Sequence, residues 1–127
     1  MSVLELNGRV FDASTTGTLT LTGEGSATTD VTQGLAKSWI QGTAASSIST
    51  QDSFNFSSVT DTSTGRITPQ FANNMGNSGF SAPMVSNQLH MALSSSSTSS
   101  FHLTAYNSSH SEVDSDQMCS TVHGDLA

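Results

Sequence analysis

The chain predicts an all-β protein: an antiparallel β-sandwich, jelly-roll-like or a partly closed barrel, with a short N-terminal β arm. Three observations lead there. Apolar and hydroxyl side chains alternate with a period of two in several short runs, most plainly TLTLT (18–22) and FHLTAYN (101–107). Clusters of Gly, Asn, Asp and Ser separate these runs at regular spacing, the pattern of many short strands joined by turns. Only 10% of the 127 residues are charged and 34% are hydrophobic. The polarity therefore comes from Ser, Thr, Asn and Gln, which coat strands, and not from the charge that keeps a chain disordered.

The elements follow in order. VLEL and RVF flank Asn7-Gly8, the dipeptide best suited to a two-residue hairpin turn because both positions tolerate positive φ. TLTLT places Leu19 and Leu21 on one face and three Thr on the other, between STTG and GEG turns. TTDVTQGLAKSWI offers Thr29 or Asp30 as a cap but meets Gly34 at once, which predicts a helical turn leading into a strand. AKSWIQ is that strand. SFNFSSV reads as one strand with Phe54 and Phe56 on one face and Ser53, Asn55 and Ser57 on the other. DTSTG turns the chain and RITPQF returns, completing a hairpin in which Pro69 marks an edge position or a bulge. After the loop NNMGNSG, FSAPMVSN and QLHMAL give two strands, with Leu89, Met91 and Leu93 sharing a face. SSSSTSS is a loop tip. FHLTAYN sets Phe101, Leu103 and Ala105 against His102, Thr104 and Tyr106. NSSHSEVDSD is an acidic loop and QMCSTVHGDLA the last strand. The Leu19/Leu21 face is too small to stand alone. Residues 1–34 are therefore expected to form an arm or hairpin that docks on a partner surface, and 35–127 the sandwich.

Composition excludes several functions. The formal net charge is −7, with only Arg9, Lys37 and Arg66 positive. Phosphate and anionic lipid surfaces are bound by clustered Lys and Arg, so neither nucleic acid nor membrane is expected as a partner. No apolar run approaches the roughly 20 residues of a membrane span, and the N-terminus lacks the basic-then-apolar pattern of a signal peptide. One cysteine, Cys119, forbids an internal disulfide and reads as a small buried filler. Trp39, the single tryptophan, reads as core packing rather than a sugar platform.

No catalytic, cofactor-binding or metal-ligating residues are assigned. GNSGFSAP resembles the Gly-x-Ser-Gly nucleophile turn, but a chymotrypsin-like order needs His before Ser, and His90, His102, His110 and His123 all follow Ser78. Those histidines lack metal-site spacing; His90, His102 and His123 are expected as partly exposed strand residues, and His110 falls in the acidic loop. A threefold assembly would bring three copies of one of them to an axis, where a metal could sit. Glu112, Asp114 and Asp116 alternate as calcium ligands could, yet the twelve-residue calcium loop is absent and a solvated acidic loop is expected. Asn55 and Asn107 head glycosylation triplets of the kind that arise by chance in a hydroxyl-rich chain.

One set of motifs is more specific. GLAKSWIQ, SFNFSSVTDTSTGRITPQFANNM, SSFHLTAYN and VHGDLA together resemble a small β domain recurrent in structural proteins of tailed phages, of tail-fibre and decoration type, especially marine and cyanobacterial phages. The matching positions are Ala36, Lys37 and Trp39; Ser53, Phe54, Asn55, Ser57, Ser58, Val59, Thr60 and Asp61; Gly65 and Phe71; and Gly124 and Asp125. The resemblance spans about residues 35–127. It implies a non-enzymatic virion component, a homo-oligomer and by analogy a trimer, made in the host cytoplasm and partnered by the major capsid protein or tail proteins. The chain has no room for a fibre shaft, which favours an outer capsid decoration, cement or head-fibre subunit. The alternative is a short tail-fibre or tail-tip component that binds a host surface glycan. A free carbohydrate-binding module would need an exposed aromatic platform, for which only Trp39, Tyr106 and six Phe are available.

Overall fold

The computed structural model describes residues 3–6, 9–13, 19–22, 28–43, 49–87 and 89–127, and for 3–30, 32 and 33 the backbone alone. The chain divides into two compact units, Met1–Leu35 and Ala36–Ala127.

The first unit is an antiparallel meander of four strands: β1 (Val3–Leu6), β2 (Arg9–Ala13), β3 (Leu19–Thr22) and β4 (Thr28–Asp30), hydrogen-bonded in sequence order and followed by a single helical turn, α1 (Val31–Gly34). Leu6 stands opposite Arg9, the register of a two-residue hairpin connection. The expected turns at 7–8, 14–17 and 23–25 lie outside the described residues. The segment is thus more than a hairpin: β3 pairs back onto β2 and forward onto β4.

The second unit is an antiparallel β-sandwich of eight strands: β5 (Ser38–Thr43), β6 (Ser49–Phe54), β7 (Phe56–Ser63), β8 (Arg66–Phe71), β9 (Met84–Ser86), β10 (His90–Ser96), β11 (Phe101–Tyr106) and β12 (Met118–Val122). One sheet has the order β6-β5-β12-β9 and the other β10-β11-β8-β7. The sheets keep open edges and do not close into a barrel. Alternation builds the core from both. In β5 and β12 the even-numbered residues point inward: Ser38, Ile40 and Gly42 face in beside Met118, Ser120 and Val122. From the other sheet come Ile67, Phe71, Phe101, Leu103 and Ala105, with Met75 and Phe80 from the loop between β8 and β9. Phe56, Phe71, Phe80 and Phe101 form an aromatic cluster, with ring centroids 5.4–6.0 Å apart in five stacked, tilted or edge-on pairs. Such pairs contribute about 0.5–1.5 kcal/mol each beyond area burial.

Three expectations about elements change. SFNFSSV is not one strand. The chain leaves one sheet at Phe54 and joins the other at Phe56, and Asn55 between them takes φ 61°. Asn is among the few non-glycine residues that tolerate this left-handed conformation. As a result Phe54 is exposed while Phe56 packs on the core. Pro69 is not at an edge. It lies fully buried in the interior strand β8, between β7 and β11. A proline has no N–H to give, and the β8–β11 pairing is interrupted around it: it holds at Ile67↔Leu103 and returns in the same register at Gln70↔Ser100. Finally, Thr104 is fully buried although it points away from Leu103, and its hydroxyl is hydrogen-bonded to that of Ser94 at 2.8 Å.

The acidic loop is also less solvated than its composition predicts. Glu112 forms an ion pair with Arg66, and Asp114 Oδ1 accepts the Gly65 N–H at 2.7 Å. Val113 N–H donates to the Ala105 carbonyl. The loop is thereby laid along the β7–β8 turn.

Candidate functional site

The same alternation that sends Ile40 and Ser120 inward sends Trp39, Gln41, Cys119 and Thr121 outward, onto the open face of the β6-β5-β12-β9 sheet. Register fixes their neighbours. Trp39 lies beside Phe54 on one side and Thr121 on the other, and Cys119 lies between Gln41 and Val85. Cys119 and Thr121 are small and flanked by larger groups, Trp39 on β5 and Pro83 and Val85 at β9. The surface over β12 is therefore a trough of about 460 Å³. A second hollow of about 240 Å³, lined by Val85, Ser86, Asn87, Gln117 and Cys119, adjoins it and shares Val85 and Cys119 with it.

Two expectations are corrected here. Trp39 is not core packing: 37% of its surface is exposed, together with 53% of Phe54 and 61% of Val85. Cys119 is not a buried filler but a half-exposed thiol in the trough floor. In both cases side-chain size or softness pointed inward while strand parity pointed outward. The signal was present in the sequence: Ser38, Ile40 and Gly42 against Trp39 and Gln41. Pro83 and Val85, which build the far wall, were placed only as parts of a strand.

No charged residue lines either hollow, in a chain with ten acidic residues. The chemistry on offer is an indole face, aliphatic walls, a thiol, and neutral amides and hydroxyls from Gln41, Thr121, Ser86, Asn87 and Gln117. Such a surface holds a neutral ligand by stacking, apolar contact and hydrogen bonds.

The other singled-out residues are dispersed. His90 and His110 are exposed and their rings lie parallel, centroids 6.5 Å apart. His102 and His123 are half-buried in and just beyond separate strands. Among the described residues no group of three or more His, Cys, Asp or Glu is placed to hold a metal ion. Ser78 is exposed in its loop and its carbonyl accepts a hydrogen bond from Ser96. Asn55 Nδ2 donates to the carbonyls of Lys37 and Asn73, so the triplet asparagine serves as an internal clamp. Asn107 Oδ1 accepts from the backbone of Ser109 and Ser111. No described helix is long and apolar enough to cross a membrane.

Compared with known proteins, the chain matches no family model, no curated protein and no solved structure.

Proposed function

We propose that the chain is a non-enzymatic structural protein of a phage particle, an outer capsid decoration or head-fibre subunit that assembles as a homotrimer. The observation that carries the reading is a hydroxyl-rich β-sandwich with an exposed, partly aromatic trough that no charged residue lines. The resemblance of its motifs to structural domains of tailed phages supports placing it in the virion. In this reading the N-terminal meander anchors the subunit on a capsid or tail protein and the sandwich is displayed. Many copies that bind the assembled shell and not its parts stabilise it by mass action. Acidic charge and exposed hydroxyls on strands such as β7, FSSVTDTS, keep particles from sticking to one another.

A short tail-tip component that contacts a host glycan is the second reading, and the exposure of Trp39 favours it over a purely structural role. The deciding experiment is quantitative mass spectrometry of purified virions. Hundreds of copies per particle are expected for a decoration protein, and a few to a few dozen for a tail component. Absence of the chain from purified particles would overturn both.

A further inference from the structure

We infer that the trough over β12 and its adjoining hollow form a binding site for a neutral oligosaccharide chain, with Trp39 as the stacking platform. The inference rests on reading the chain as a displayed, non-enzymatic module, and it names the ligand of the face described above.

Three features select this ligand. The site is elongated: two hollows of about 460 and 240 Å³ meet at Val85 and Cys119, which suits a linear polymer better than a compact metabolite. It is amphipathic along its length. The indole and the Pro83 and Val85 walls offer apolar surface for the C–H faces of sugar rings, and Ser86, Asn87 and Gln117 offer hydroxyl and amide groups for ring hydroxyls. It is uncharged, so an anionic polymer finds no cation in it, and the net charge of −7 repels one.

Because Trp39 is the only tryptophan, its emission reports the site directly. The full-length protein is titrated with neutral gluco-, galacto- and manno-hexasaccharides, with alginate and dextran sulfate as anionic arms. A saturable blue shift is expected with at least one neutral hexasaccharide and with neither anionic polymer. The same sugar should slow modification of Cys119 by a thiol reagent. Trp39→Ala should weaken binding at least tenfold, read by calorimetry, and the double variant N87A/Q117A at least threefold with the tryptophan still present. Circular dichroism checks that each variant is folded. The inference is overturned if no neutral sugar shifts the emission or protects Cys119, if the anionic polymers bind instead, or if W39A binds as well as wild type. It is equally overturned if the emission shifts blue with protein concentration alone while sedimentation shows association, since a second copy then covers the face. Finding the chain in virions without sugar binding would sink this inference and leave the virion reading standing; the reverse result would do the opposite.

Discussion

Asn55 turns a corner that its side chain both permits and locks. Its backbone takes φ 61°. Its carboxamide donates to Lys37 and Asn73 and accepts from the Asn73 backbone at 2.7 Å, while its carbonyl accepts from Ala72. Alanine there would carry the left-handed penalty of about 1–2 kcal/mol and lose side-chain bonds with a net value of about 1 kcal/mol each. Asn55→Ala is expected to lower unfolding stability by about 2–4 kcal/mol in urea titrations. Asn55→Gly, which keeps the backbone, should fall between it and wild type. Gly65 is stricter. At φ 72° a Cβ would lie 2.6 Å from both the N and O of Val113, backbone atoms that cannot step aside. Gly65→Ala should cost at least about 3 kcal/mol or prevent folding, as seen in soluble yield and thermal midpoint. Ser38 is fully buried and its hydroxyl has no hydrogen-bond partner among the described residues, so Ser38→Ala should leave stability unchanged or raise it by about 1 kcal/mol. Residue identity alone misled at Trp39 and Cys119, where a large ring and a soft thiol suggest burial. Only the parity set by Ile40 and Val122 tells where those side chains point.

Among elements, those with one face in the core were legible. Phe101, Leu103 and Ala105 in β11, and Met118 and Val122 in β12, point inward as their alternation predicts. The β7–β8 hairpin was legible too, because DTSTG supplies the turn. The change of sheet at Asn55 was not. Phe54 and Phe56 keep strict alternation across it, and only the tolerance of asparagine for positive φ hints at the break. Pro69 was misplaced because proline is rare inside sheets; its ring is buried between strands where the pairing to β11 is interrupted between Ile67 and Gln70. Asp114 and Asp116 are exposed as expected of a solvated loop, but its anchoring was not legible because the partners, Arg66 and Gly65, lie more than forty residues upstream. That anchoring is modest in energy. The Arg66–Glu112 pair is part-exposed, so Glu112→Gln should cost less than about 1 kcal/mol. Asp114→Ala, which removes a charged acceptor from a backbone N–H, should cost about 1 kcal/mol and speed hydrogen exchange at Gly65.

At the scale of the whole molecule, the ten buried apolar residues of the core among the described residues lie from Ile40 to Val122, all inside the compact unit Ala36–Ala127. A fragment of residues 36–127 is therefore expected to fold alone and unfold in one cooperative transition followed by Trp39 emission; a non-cooperative loss of signal would show that the first unit completes it. The native thiol offers a check on the sandwich's orientation. Cys119 should react with a thiol reagent without denaturant, which a core cysteine would not do. The first and last strands of the sandwich, β5 and β12, lie side by side, with Ser38 opposite Val122 and the Lys37 N–H bonded to the Val122 carbonyl at 2.7 Å. The entry into β5 and the exit from β12 thus lie about one strand spacing, roughly 4.8 Å, apart. The segment after β12 is no loose tail: His123 pairs with Ser81, Leu126 with Met75, and the Ala127 N–H is bonded to the Asn74 carbonyl, so cutting the polypeptide after Val122 would strip backbone partners from the loop that carries Met75 and Phe80 into the core.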